Sequence, residues 1–411
     1  MTTYSIKQLA NGLKVALLPA KSKVFYCGFA IHSGSINDPT HLHGLAHFVE
    51  HTIFKGTEKR KSWHIINRME RVGGELNAFT TKETTFIYTA APRSEISRSM
   101  ELLNDLIRHA IFPSRELEKE KQVVEEEIKI YKDTPSEIIF DHFDQLFFQD
   151  ESLAHPILGD KKSLSRMSQD DCIQYARETF TPDRLLFFSM GQITPTRFEQ
   201  LTQQLLGEPF ASINKSSPPH LTYSTNHFEK QQAISTHQAH TLIGGVAPTL
   251  HDDKRTEASL LMNILAGNGM NTKLNIQLRE QRGWVYNVEA SYTALSHIGW
   301  WQIYFGSDPL NAEKALTATL KELKKLQDTP LTSTTLRAWI KQAKGEATMS
   351  TEQSETVFLN FGRQLLLKGH YDSLPHYFYR LEQVTPRSLQ EVANQLFAHN
   401  NISKLIYNSL K

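Results

Sequence analysis

Two stretches of this chain repeat each other, and that repeat limits the fold more than any count of residues does. Met167-Ser168-Gln169, through Ala176 to Phe180, matches Val384-Thr385-Pro386, through Ala393 to Phe397, at an offset of 217 residues. Each copy reads as a helix capped by Ser168 or Thr385 and followed by an apolar strand. Upstream, Phe86-Ile87-Tyr88 leading to Pro92 matches Gln302-Ile303-Tyr304 leading to Pro309, with an offset of 216 at the Ile-Tyr pair. An amphipathic helix follows each strand: Ile96, Met100, Leu103 and Ile107 in the first, Leu316, Leu320 and Leu323 in the second. Two nearly equal offsets at separate places predict a repeated unit of about 200 residues. Neither copy alternates strand and helix regularly, which favours an α+β fold with helices covering one face of a mostly antiparallel sheet. The Pro- and Ser-rich stretch 207–222 has neither period. It is the expected linker between a first half, 1–206, and a second half, 223–411.

Composition closes off several function classes. Lys+Arg 45 against Asp+Glu 44 leaves a formal charge of +1, so no basic excess points to nucleic acid. No uninterrupted apolar run approaches the ~20 residues that a membrane span needs. The N-terminus shows neither a basic segment followed by an apolar one nor an Arg-rich stretch, so no targeting peptide is expected. Cys27 and Cys172 are the two cysteines; they build no disulfide framework and fit a reducing, cytoplasmic setting. Histidine is uneven. Of 18, six fall between His32 and His64, which directs the search for metal to that stretch.

There the chain reads His47-Phe48-Val49-Glu50-His51. Asp38-Pro39 or Thr40 can start a helix here and Gly56 can stop it. His47 and His51 stand at i and i+4, on one face and a turn apart, which suits two ligands of one Zn²⁺. Glu50 projects near the same face and is placed to take a proton from an attacking water. This is the inverted H-x-x-E-H arrangement. A histidine-rich surface helix is the competing reading.

A catalytic zinc needs a third protein ligand. On a helical wheel over Glu116–Tyr131, residues Leu117, Val123, Val124, Ile128 and Tyr131 define the expected buried arc. Glu120 and Glu127 fall inside it, Glu125 points away, and Glu126 sits off the edge. A carboxylate on an apolar face is costly unless paired or bound to metal, so Glu120 and Glu127 are the informative pair.

Together, His47-Phe48-Val49-Glu50-His51, Phe54-Lys55-Gly56-Thr57, Gly73-Gly74 with Asn77, Ala78 and Thr80, and Glu120 with Val123-Val124, Glu127 and Ile128 resemble the pitrilysin/insulinase family of zinc peptidases. The nearest branch is the short one that holds the mitochondrial processing peptidase and its bacterial relatives. The resemblance spans essentially the whole chain. It implies His47, His51 and Glu127 as ligands of one zinc per chain, Glu50 as base, and Glu120 as the partner that orients a ligand histidine. It also implies that Asn77, Ala78 and Phe79 lie on an edge strand that pairs with extended substrate.

The second half holds Leu261-Met262-Asn263-Ile264-Leu265-Ala266-Gly267 where the repeat would place a metal motif, and that segment cannot hold zinc. Instead, Arg279-Glu280-Gln281-Arg282-Gly283-Trp284-Val285-Tyr286 resembles the family segment whose Arg and Tyr reach the substrate. The resemblance therefore assigns Arg279 to substrate contact and Tyr286 to the carbonyl as it becomes an oxyanion. The bland alternative makes Arg279 a surface residue and Tyr286 a core aromatic. Two departures stand out: Asp38 replaces a commoner glutamate, and Trp284-Val285-Tyr286-Asn287 replaces the usual Leu-Ala-Tyr-Ser. The expectation is a zinc endopeptidase acting on peptides or unfolded segments, its two homologous halves closing like a clam shell. It would act as a homodimer or paired with a related chain. A non-catalytic partner subunit is the alternative.

Overall fold

A computed structural model describes residues 4–210 and 223–409, so most of the expected linker, 211–222, lies outside the described residues. The first sheet contains β1 (Ser5–Gln8), β2 (Lys14–Pro19), β3 (Val24–Ile31), β4 (Glu75–Thr80), β5 (Thr85–Pro92) and β6 (Leu185–Gly191), in the order β1-β2-β6-β3-β5-β4. The second contains β7 (Glu229–Ile234), β8 (Ala239–Ala247), β9 (Val285–Ala294), β10 (Gly299–Ser307) and β11 (Ser403–Ser409), in the order β7-β11-β8-β10-β9. Apart from β1 the two orders coincide strand for strand. The directions coincide as well. β2 with β6 and β7 with β11 are parallel, and the other pairs are antiparallel.

The local signals behave as their chemistry requires. Ser168 and Thr385 both cap their helices through reciprocal capping boxes, and each helix leads to the sheet's parallel pair through β6 or β11. Ile87-Tyr88 lies in β5 and Ile303-Tyr304 in β10, the same place in each sheet.

Each sheet is covered on one face by its own apolar core, with Phe29, Phe48, Leu106 and Val124 in the first and Trp301, Leu265, Leu323 and Val392 in the second. The compact units are discontinuous, whereas the sequence suggests a single cut. One unit comprises Met1–Ile130, His155–Pro219 and Gln353–Ser373; the other comprises Tyr131–Ala154, His220–Glu352 and Leu374–Lys411. Aromatic stripes explain the exchange. In the first unit, the helix Ser354–Lys368 lays Phe358 on Phe188, ring centroids 4.3 Å apart, on the other face of the sheet. In the second, the helix Pro135–Phe147 sets Phe140 against Tyr304 and Phe143 against Phe228, at 5.5 and 5.2 Å.

Candidate metal centre

The centre belongs to the first unit. Leu45, Ala46, Phe48 and Val49 are buried and fix the helix Leu45–Thr52 against the sheet. This helix starts later than the sequence suggests. Gly44, at φ 91°, turns the chain into it, and the Asp38 carboxylate accepts from the Gly44 and Ala46 amides at 2.7 and 2.8 Å. Asp38 thus caps the helix from a distance, and the shorter helix still carries both histidines. His155 Nε2 lies 3.2 Å from the same carboxylate.

The helix Ser114–Lys132 presents Leu117, Glu120, Val124 and Ile128 to the core. The wheel misplaces Val123, which is 53% exposed, and Tyr131 is only half-buried. The buried stripe is one residue wide per turn, with no room for both Val123 and Val124. Glu125 pairs with Lys161 at 2.7 Å and Glu126 with Lys129 at 2.7 Å, both away from the histidines.

Glu127 turns the other way. Its Oε2 stands 3.9 Å from His47 Nε2 and 3.6 Å from His51 Nε2. One ligand atom from each of the three residues falls within 4.8 Å of the others. Glu127 Oε2 is buried with no hydrogen-bond partner. An orphaned carboxylate oxygen facing two imidazole nitrogens is what a metal-binding set leaves behind. Two nitrogens and one oxygen, without thiolates, leave a coordination position open in the manner of catalytic zinc sites.

The surroundings orient the set. Glu120 Oε1 is 3.0 Å from His51 Nδ1, which leaves Nε2 facing Glu127. Lys55 Nζ holds the other Glu120 oxygen at 2.6 Å. Burial raises the Glu120 carboxyl, but His51 and Lys55 outweigh it and hold the group below its ordinary value. Burial likewise pulls His51 down, and Glu120, Glu50 and Glu127 more than restore it. His47 faces the Glu127 carboxylate at 3.9 Å, and burial, then His51, brings its imidazole down to about 3. Its imidazole is therefore neutral, as a metal ligand must be.

Glu50 lies beside this set, facing β4. Its Oε2 accepts from Thr80 Oγ1 at 3.3 Å. Burial raises its carboxyl, His51 and Thr80 oppose that, and Glu127 adds to it. β4 is the terminal strand of the sheet and is paired only with β5 among the described residues. Gly73, at φ 70°, makes the turn into it. Ala78 packs against the first core, while Phe79 stacks on Phe86 at 4.9 Å, so adjacent residues serve opposite faces. Asn77, Ala78 and Phe79 are all half-buried. Lys55 and Thr80 escape sequence reasoning. Both stand inside quoted motifs, but nothing in their spacing reveals their partners.

Arg279 and Tyr286 belong to the second unit. Arg279 is in a π-helical turn, Asn275–Glu280, with its guanidinium half-exposed. Tyr286 is 60% exposed, so it is no core aromatic. It is also the extra residue of a β-bulge, since Val285 faces Ser307 while Asn287 faces Gly306. π-turns and β-bulges both recur at functional sites, and bulges re-aim side chains.

The insulinase model of peptidase family M16 matches residues 14–161, and the model of the M16 inactive domain matches 166–342. The uncharacterized zinc protease YmxG of Bacillus subtilis is 30% identical over 380 residues, 92% of this chain and 92% of its own. The chain belongs to the insulinase family, M16. It is a metallopeptidase. The mitochondrial-processing peptidase subunit beta of Saccharomyces cerevisiae is 24% identical across 96% of this chain and 89% of its own. A protease from Helicobacter pylori shares the fold with a TM-score of 0.92 at 19% identity, covering 99% of both chains. The metal cluster falls within the insulinase match, and the inactive-domain match holds both Arg279 and Tyr286.

One prediction arises from the orienting pair. Glu120→Gln keeps the shape but weakens the charge-assisted bond to His51, so zinc affinity falls about 10–100-fold. Glu126→Gln, on the lysine-paired face, leaves affinity unchanged. Competition against a chromophoric chelator reads both. Equal affinity of Glu120→Gln and wild type would remove Glu120 from the site.

Proposed function

We propose that this M16 chain is a zinc-dependent endopeptidase that cleaves peptides or short unfolded polypeptides, with one zinc per chain. The observation that carries this is the unpartnered Glu127 Oε2 facing both His47 and His51, with Glu50 set between that cluster and an edge strand. His47, His51 and Glu127 would hold the ion. Zinc supplies Lewis-acid polarisation of the water and of the scissile carbonyl. Glu50 takes the proton of the attacking water and returns it to the leaving amine. β4 offers unpaired backbone groups along Asn77–Phe79, to which an extended peptide adds as a further strand. Arg279 holds the substrate backbone, and the Tyr286 hydroxyl donates to the developing oxyanion.

Both cysteines are free and buried, and no described helix is long and apolar enough to cross a membrane. We place the protein in the cytoplasm. A relative named as a subunit supports pairing with a second chain, either a copy or a related one.

The test combines metal analysis with digestion of a mixed peptide library. About one zinc per chain and internal cleavage products are expected, with activity lost on chelation and restored by zinc. Cleavage that survives complete metal removal, or an inert protein carrying full zinc, overturns the proposal.

A further inference from the structure

The second half carries a cavity at the place where the first carries its metal cluster. The helix Arg255–Ala266 follows β8 as the His47 helix follows β3. The helix Ser333–Ser350 follows Ala312–Asp328 as the Glu127 helix follows Ile96–His109. In the first half this helix pair brings together two imidazoles and a carboxylate. In the second it brings together Asn263 and Glu346, beside a cavity of about 220 Å³.

The polar groups there are built and not merely adjacent. Asn263 Nδ2 donates to Glu346 Oε2 at 2.6 Å, and Gln342 Nε2 donates to Glu346 Oε1 at 2.9 Å. Asn271 Nδ2 in turn fixes Gln342 through its Oε1 at 2.8 Å. Both carboxylate oxygens are thus positioned by neutral amides and keep lone pairs to spare. No cation pairs with Glu346 among the described residues, and the nearby Lys344 is taken by Glu382. Asn263 Oδ1 is buried with no hydrogen-bond partner. Ser259, Ser350 and Tyr377 complete the polar lining, and Leu260, Ala343 and Ala347 supply an apolar wall.

We infer that this cavity binds a small primary ammonium ligand. Charge decides the sign. A carboxylate bonded by neutral amides and an orphaned carbonyl oxygen reject anions and call for a donor that carries positive charge. Asn263 and Ser350 also lie in the last turns of their helices, whose C-terminal ends favour cations. Size decides the class. The space exceeds what one bare metal ion fills, yet falls below the ~300–1,000 Å³ of drug-sized pockets. An ammonium group offers three donors, matching Glu346, Asn263 Oδ1 and one serine hydroxyl. A short alkyl tail lies along the alanines, and the Tyr377 ring adds a cation–π contact. None of this depends on zinc or on the endopeptidase reading, because every residue named belongs to the second unit.

The probe is n-butylammonium, titrated into the full chain by calorimetry, with n-butanol as its neutral isostere. Saturable binding to the wild type is expected, at least tenfold tighter than for n-butanol. Glu346→Gln should bind at least tenfold more weakly at unchanged Tm and zinc content. Ala347→Leu narrows the cavity without touching the amide network, and should weaken binding similarly even if Glu346→Gln proves unstable. Absence of saturable binding to the wild type, equal binding of n-butanol, or undiminished binding in either folded variant overturns the inference. Calcium binding in place of the amine, lost in Glu346→Gln, overturns the ligand class.

Discussion

Glu50→Gln should retain its zinc and lose peptide hydrolysis by about 10²–10⁴-fold or more, the contribution that a positioned general base makes. The substitution keeps the side chain's shape and removes its charge and its proton affinity. Glutamine keeps the length and still offers an oxygen to the Thr80 hydroxyl, which now lies 3.3 Å from Glu50 Oε2. The cluster of possible ligand atoms is complete without Glu50. Metal content measured beside kcat therefore separates two roles. Full zinc with a collapsed kcat fits the base. Loss of zinc would make Glu50 a ligand, and full activity would leave it no part in the chemistry. The tie to Thr80 matters because Thr80 ends β4, the strand on which the substrate is proposed to add. Thr80→Val keeps the shape and frees Glu50. It should lower kcat by less than Glu50→Gln does, with zinc unchanged.

What the sequence discloses here is what short-range chemistry controls. Ser168 and Thr385 announce their helices because a capping box is complete within four residues. The pairing of His47 with His51 is legible because helical spacing operates locally, and Glu120 because burying a carboxylate is costly, whereas the Glu127 side chain clusters with the histidines while staying 44% exposed. The misses are contacts made at a distance in the chain. Asp38 caps its helix from six and eight residues away, so a start at Asp38 or Thr40 reads plausibly and is too early. Lys55 and Glu120 are 65 positions apart, and nothing local declares the pair. Val123 and Val124 are equivalent apolar letters, and only the neighbouring helices decide which is covered. The exchanged segments 131–154 and 353–373 depend on aromatic packing against sheets built from remote strands. The Tyr286 bulge is a mismatch of register between two strands, and no single strand encodes it.

That bulge bears on the second large effect. Tyr286→Phe should lower kcat by about 10²–10³-fold with a smaller change in KM, the loss expected for one oxyanion donor. The change deletes a hydroxyl from a ring that is already 60% exposed, so core packing is untouched and Tm should stay at the wild-type value. Zinc content should also hold, since Tyr286 belongs to the second unit and the clustered His47, His51 and Glu127 to the first. A regular strand would face each β9 residue with one of β10. Here Tyr286 is the unmatched residue, released from pairing and free to present its phenol away from the ladder. Deleting the hydroxyl tests the donor, and restoring a regular register tests the presentation. Deletion of Asn287 closes the bulge by letting Tyr286 pair with Gly306 in its place, and should reduce kcat at least as far as Tyr286→Phe does, again with zinc retained. Arg279→Ala, on the neighbouring π-turn, should raise KM as well, because its proposed role is to hold the substrate backbone and not the oxyanion. Wild-type kcat in Tyr286→Phe would leave the chemistry to the first half alone. The bulge would then need another reason to exist.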